Sequence, residues 1–381
     1  MKVQRVCFAI LNLRLGGQVS SLIALAERLQ ERGIGVRFLR PQGLASLSKD
    51  ALDRYGKVAF ARRMVESWHM LREEWREASD PRTILHVVVP SPATSALGCA
   101  TSFPARRVLL QYEGPATSLD LAHLRAFLDD PSLMAPRLLL NHRALARLGR
   151  SLACCHLSTH PAITRQLRAE KFLRVHEIVN FATAPVDDEG VVDAVPPESP
   201  SRNEVFCGYV GHAHPVKGTQ DLLEAFARAV ARRPELRLVL ALSSDGDAER
   251  LRARARALGV TERVFFAGVV PVAELLRRLD VLVLPYRSVH TTTMYPSLLF
   301  EANLARCPVV VSRLPELAPI LVDASSALHL VPPCDVSALA QAIEGISRRS
   351  TVAWTPIVRT QDEHTRVDQL MAVYDSMLEG E

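Results

Sequence analysis

Short apolar runs alternate with amphipathic stretches along nearly the whole chain. Residues 3–10, 35–39, 84–89, 107–111 and 153–157 form one set of runs; residues 205–210, 236–242, 264–267, 281–285 and 309–312 form a second. The runs are dominated by apolar residues rather than alternating, the pattern of parallel strands covered on both faces. Between the runs the apolar spacing becomes helical. In residues 20–32, Leu22, Ile23, Leu25, Ala26 and Leu29 make one stripe, and Gly33 is the stop signal. Residues 60–78 predict a more polar helix carrying Trp68 and Trp75. Further helices are predicted over 220–232, 247–258, 272–279 and 338–348, with Asp247 as an N-cap and Gly259 as a stop. The last periodic segment, 363–377, is long enough to reach back onto the first domain.

The two sets of runs are separated by residues 184–203, which hold Pro185, Pro196, Pro197 and Pro200 among acidic residues and show little periodicity. That composition predicts a linker. The expected fold is therefore α/β, with two Rossmann-like domains facing each other across a cleft: residues 1–183, then the linker, then residues 204–360, with 361–381 as a terminal helix packing toward the first domain. A length of 381 residues agrees, because it exceeds what one ordinary core holds.

Composition narrows the class. The chain is 48% hydrophobic and 23% charged, which excludes a disordered polymer. No apolar run reaches membrane-spanning length, and the short run at 6–11 is too brief for a secretory signal, so any membrane contact is expected to be peripheral. Seven cysteines without a C-x-x-C pair fit reduced thiols in a cytoplasm. A net charge of +5 without a basic, aromatic-interleaved platform gives no reason to expect nucleic acid.

Two stretches carry candidate chemistry. Tyr209–Val210–Gly211–His212–Ala213–His214–Pro215–Val216–Lys217–Gly218 ends a predicted strand in a glycine and passes through a cationic loop into a helix. Pro296–Ser297–Leu298–Leu299–Phe300–Glu301 opens another helix and sets a carboxylate on its first turns. A loop lysine with two helix N-termini suits a diphosphate, and a nearby carboxylate suits the vicinal hydroxyls of a ribose. Plainer roles exist for each group: a surface lysine for Lys217, a dipole-favoured helix residue for Glu301, a loop residue for His214. Thr291, Thr292 and Thr293 are placed to cap the second helix or to touch phosphate and sugar, and Ser297 stands beside them. Gly16 and Gly17 let a backbone approach a ligand closely or simply make a tight turn, and the spacing is not that of a nicotinamide site. Asp245–Gly246–Asp247 spells D-x-D, but its place predicts turn chemistry, and no metal site is expected.

Further fragments fall in a fixed order: Val179–Asn180–Phe181, Phe266–Ala267–Gly268, Asp280–Val281–Leu282–Val283–Leu284–Pro285, Phe300–Glu301–Ala302 ahead of Cys307–Pro308–Val309–Val310, and Leu330–Val331–Pro332–Pro333–Cys334–Asp335. With Gly16–Gly17 and the loop from Gly211 to Gly218, they make the chain resemble a family 4 retaining glycosyltransferase of GT-B architecture. The resemblance implies transfer of a sugar from a nucleoside diphosphate donor, UDP more often than GDP, to an acceptor hydroxyl of unknown kind. It implies no metal and no other cofactor, front-face attack, and a departing phosphate that takes the acceptor's proton. By position it implies donor contacts from Gly16, Gly17, Gly211, Lys217, Thr292, Thr293, Ser297 and Glu301, and catalytic roles for Lys217, Glu301, His212 and Glu113. The chain departs from the family pattern at His212, usually arginine, at Thr293, usually glutamate, and at Tyr112–Glu113, where a histidine is common. These departures leave a non-catalytic sugar-nucleotide-binding or scaffold protein as the alternative.

Overall fold

Two six-stranded parallel sheets are formed by the described residues of the computed structural model, which are 2–10, 17–39, 81–89, 107–112, 155–169, 171–178, 204–213, 215–242, 245–289, 295–349, 354–359 and 363–379. The chain divides into two compact units: Met1–Phe181 with His290–Tyr295 and Gln361–Glu381, and Ala182–Val289 with Pro296–Thr360. Each is a Rossmann-like α/β layer structure, the kind of domain that GT-B proteins pair. The predicted helix at 60–78 and the linker at 184–203 lie outside the described residues.

In the first unit, β1 (Arg5–Ile10), β2 (Gly35–Leu39), β3 (Thr83–Val89), β4 (Val108–Tyr112), β5 (Cys155–Ser158) and β6 (Val175–Glu177) lie in the order β2-β1-β3-β4-β5-β6. Helices α1 (Gly17–Glu31) and α2 (Pro161–Ala169) accompany them. Leu22, Leu25 and Leu29 of α1 are buried with Val6 and Phe8 of β1 and Ile84 and Val88 of β3. The stripe spaced for a helix in the sequence is thus the face that packs on the sheet.

The second unit holds β7 (Val205–Gly211), β8 (Leu236–Leu242), β9 (Val264–Phe266), β10 (Val281–Leu284), β11 (Val309–Ser312) and β12 (Leu328–Val331), in the order β12-β11-β10-β7-β8-β9. Its helices are α3 (Thr219–Val230), α4 (Asp245–Ala257), α5 (Val272–Arg278), α6 (Ser297–Leu304) and α7 (Val336–Glu344). Two starts differ from expectation. Asp247 is not an N-cap, because α4 already begins at Asp245 and places Asp247 inside the first turn. Helix α7 begins at Val336 rather than 338, because Asp335 is the cap: its carboxylate accepts from the Ala338 N–H at 2.9 Å. Asp280 is a tie within the unit, accepting from the amides of Phe206 (2.9 Å) and Arg349 (2.8 Å). The Arg349 guanidinium then donates to the carbonyls of Leu276 and Arg277 at the end of α5 and of Ala305 at the end of α6. No helix among the described residues is long and apolar enough to cross a membrane.

Helix α8 (Glu363–Leu378) belongs to the first unit, where Val367, Leu370, Val373, Tyr374 and Met377 join the core. A buried polar chain fastens it. His86 Nε2–H donates to Gln111 Oε1 at 2.9 Å, since an amide oxygen only accepts, so Nδ1 accepts from the Tyr374 hydroxyl at 2.7 Å. Nearby, the Tyr112 hydroxyl bonds His156 Nδ1 at 2.7 Å and the two rings stack. Burial lowers His86 to about 3; burial, with Arg174 and His176 adding repulsion, lowers His156 to about 4.

Both histidines are neutral in the folded state and take up a proton on unfolding below their ordinary value of about 6.5. Their contribution is complete above that value and is lost as pH falls toward 3–4, at about 1.4 kcal/mol per pH unit for each. We predict a urea midpoint that drops steeply between pH 6.5 and 4. His86→Gln should lower the midpoint at pH 7 but flatten this slope; an unchanged slope would refute the assignment.

Candidate donor-anion site

In the second sheet the strand order reverses between β7 and β10. In open parallel sheets ligands bind in the crevice outside the carboxyl ends of the strands at such a point. The segments that leave β7 and β10 supply its walls. Strand β7 ends in Gly211, with φ 129°; after it come His212, Ala213, a short 3-10 turn at Pro215–Lys217, Gly218 and then α3. After β10 come Pro285, Tyr286, Arg287 and Ser288.

The two segments are bound tightly to one another. The amides of Arg287 and Ser288 donate to the Val216 carbonyl at 2.8 and 3.4 Å. The Arg287 guanidinium meets the Asp221 carboxylate through two bonds, Nε–Oδ2 at 2.8 Å and Nη2–Oδ1 at 2.7 Å. This fork-to-fork geometry is the strong form of an ion pair, and Asp221 is nearly buried. Gly218 has φ 68°, and a Cβ there would stand 1.9 Å from the Pro285 carbonyl oxygen. The Tyr209 hydroxyl donates to the His212 carbonyl at 2.5 Å, and Arg250 of α4 donates to the Ala213 carbonyl at 2.7 Å. Consecutive loop carbonyls are therefore turned toward protein donors.

Lys217 ends the turn with its Nζ 4.1 Å from the centroid of the Tyr286 ring. The residue keeps partial solvent access, yet desolvation pulls its ammonium down to about 8. Among the described residues no carboxylate pairs with it. Tyr286 is 1% exposed, and its hydroxyl is pushed above its ordinary value by burial and then by the charge of Glu301. Glu301, on α6, is itself raised by burial, an effect opposed by a hydrogen bond from Ser297 one turn earlier. A cation without an acidic partner, an aromatic face and a carboxylate thus occupy one neighbourhood at the switch point.

Of the residues singled out in the sequence, Lys217 lies against the Tyr286 ring, Glu301 acts on the Tyr286 hydroxyl through its charge, and Ser297 hydrogen-bonds Glu301, while Gly211 and His212 lead into the turn that carries Lys217. Gly17 is the first residue of α1. Gly16, Glu113, Thr291, Thr292, Thr293 and His214 lie outside the described residues. Asp245 and Asp247 stand in the first turn of α4. Among the described residues no cluster of three or more His, Cys, Asp or Glu side chains is arranged to hold a metal ion. Tyr286, Asp221, Arg287 and Arg250 were not anticipated. For Asp221 and Arg287 no local signal exists, because their partnership depends on β7 and β10 being neighbours across 66 residues of sequence.

The sequence model of a family described as glycosyl transferases group 1 matches residues 204–348, the span that holds this site. Among curated proteins, none matches the chain. Among solved structures, Anabaena HepE in complex with UDP superposes with a TM-score of 0.57 at 15% identity, covering 99% of this chain and 95% of that one. A glycosyltransferase from Rickettsia africae gives 0.59 at 11% identity, covering 99% and 94%. WaaG, a glycosyltransferase involved in lipopolysaccharide biosynthesis, gives 0.58 at 13% identity, covering 97% and 99%. At such identities the likeness establishes the fold.

Proposed function

We propose that this protein is a retaining, metal-independent glycosyltransferase of family 4 type that moves a sugar from a nucleoside diphosphate donor, UDP-linked, to an acceptor hydroxyl. The observation that carries this reading is Lys217: a desolvated ammonium at the switch point of a Rossmann sheet, held by an aromatic face and not by an acid among the described residues. A group in that state gains most from a bound anion. The family match over residues 204–348 and the UDP bound to HepE support the choice of ligand.

In this reading the bond between the anomeric carbon and the diphosphate oxygen breaks as the acceptor oxygen attacks from the same face. The acceptor's proton passes to the departing phosphate oxygen. Lys217, with loop amides and His212, carries the growing negative charge, which fixed donors stabilise without reorganisation. Glu301 accepts from the ribose hydroxyls; those bonds favour its charged form and offset the burial that raises its pKa. By the resemblance we assign Gly16, Gly17, Thr292, Thr293 and Ser297 to donor binding, and to Glu113 the role of assisting as a base or orienting the acceptor. We assign residues 1–183 to acceptor binding and 204–360 to donor binding, and we place the reaction in the cytoplasm, consistent with the free thiols of the described cysteines.

A thermal-shift panel of UDP, GDP and their sugars tests the reading, since a ligand that binds only the native state raises the melting point. UDP and UDP-sugars are expected to stabilise, and acceptor-dependent release of UDP should follow. No shift with any nucleoside diphosphate would overturn it. Glu301→Gln should weaken UDP on the order of tenfold, the worth of a charge-assisted pair, and leave 2′,3′-dideoxy-UDP unchanged. Equal losses for both ligands would remove Glu301 from the ribose.

A further inference from the structure

We propose that Tyr286 is a positioning residue for Lys217, its ring holding the ammonium at the diphosphate position without neutralising it. The proposal rests on the reading of this crevice as a diphosphate site.

A lysine in a desolvated place needs a partner to stay charged and ordered. A carboxylate would supply both but would cancel the charge and compete with an incoming phosphate. An aromatic face is different: it attracts the cation through its quadrupole and carries no net charge. The Tyr286 ring sits 4.1 Å from Nζ, the distance at which this attraction operates. The ring is also well placed to act as a fixed support. It is 1% exposed, and its amide donates to the Leu284 carbonyl at 2.9 Å. The next two residues are locked to Val216, the neighbour of Lys217, and Arg287 is clamped on Asp221. Ring and lysine therefore belong to two segments that cannot shift independently. Glu301 acts on the Tyr286 hydroxyl, whose pKa its charge helps to raise.

The test compares Tyr286→Phe, which keeps the ring, with Tyr286→Leu, which removes it. Calorimetry gives the affinity for UDP, and displacement of UDP by uridine gives the affinity for the nucleoside alone. Phe should bind UDP within about twofold of the parent. Leu should bind it roughly tenfold more weakly, with uridine unchanged, because uridine has no phosphate for Lys217 to meet. Three results would overturn the proposal: Leu equal to the parent, Phe falling as far as Leu, or Leu losing uridine and UDP alike, which marks collapse of the pocket. Tyr286→Met, closer in length to the ring, replaces Leu in the comparison if Leu lacks a cooperative unfolding transition. A parent protein that binds no nucleoside diphosphate defeats the reading of the site itself, a result separate from any of these.

Discussion

Lys217→Ala is expected to lower both UDP affinity and turnover, with a combined loss of about 2–4 kcal/mol, the scale for a fixed charge facing a developing anion. Three features of its setting lead to that size. The ammonium is desolvated, so its field is poorly screened. Its neighbour is a ring, and among the described residues no carboxylate pairs with it to take over the charge. The turn that carries it is bonded to the segment after β10 through Val216, so water does not simply rearrange around a mobile chain.

The same residue sets a pH dependence. With a pKa near 8 the free-site lysine is charged below that value and neutral above it. A bound diphosphate favours the charged form and raises the pKa. UDP affinity should therefore be level on the acid side of 8 and decline on the alkaline side, with proton uptake on binding between the free and bound values. Calorimetry in buffers of different ionisation enthalpy measures that uptake. A folded Lys217→Ala protein with parental affinity, parental turnover and the same alkaline limb would show that the lysine is only a surface residue.

Much of this was legible before any coordinates, for reasons specific to each element. The interior strands β8 and β11 were readable to the residue, because strands buried on both faces leave a predominantly apolar run, broken in β8 only by Arg237. Strand β6 was not: it has three residues, two half-buried and one exposed, and sits at a sheet edge. Strand β12 is buried only at its ends, with His329 exposed and Leu330 half-buried between them, so its run is broken. Helix starts were misplaced by about two residues where the capping carboxylate stood upstream of the apolar pattern, as at Asp335.

At the candidate site, Lys217 and Glu301 could be singled out because one follows a strand-end glycine and the other lies on a short helix whose start is readable, and such places have a sequence signature. The groups that hold them were not visible. Tyr286 is three-dimensional information: a tyrosine after a strand carries no mark of the lysine it will meet 69 positions earlier in the chain. Arg250 donating to Ala213 is of the same kind, a contact that exists only because β8 lies beside β7.

Gly218→Ala should be more damaging to the fold than any change above, and a second glycine supplies its control. Gly218 and Gly259 both stand in the left-handed region, at φ 68° and 71°. That conformation alone costs an alanine roughly 1–2 kcal/mol. At Gly259 nothing lies within 4 Å of the added Cβ, so the backbone term is the whole cost. At Gly218 the Cβ would stand 1.9 Å from the Pro285 carbonyl oxygen, a backbone atom that no rotamer change can move. Relief requires the turn to withdraw from β10, which stretches the amide bonds to Val216 and lifts Lys217 off the Tyr286 ring. We expect Gly259→Ala to lose about 1–2 kcal/mol and to bind UDP normally. Gly218→Ala should lose about 3 kcal/mol or more, and whatever remains folded should bind UDP as poorly as Lys217→Ala. Urea unfolding of the two variants, with UDP titrations on the folded fraction, measures both effects. Equal stability losses with parental UDP binding in both would mean that the turn can move away from β10 at no cost, and that its close contact with Pro285 does not set the position of Lys217.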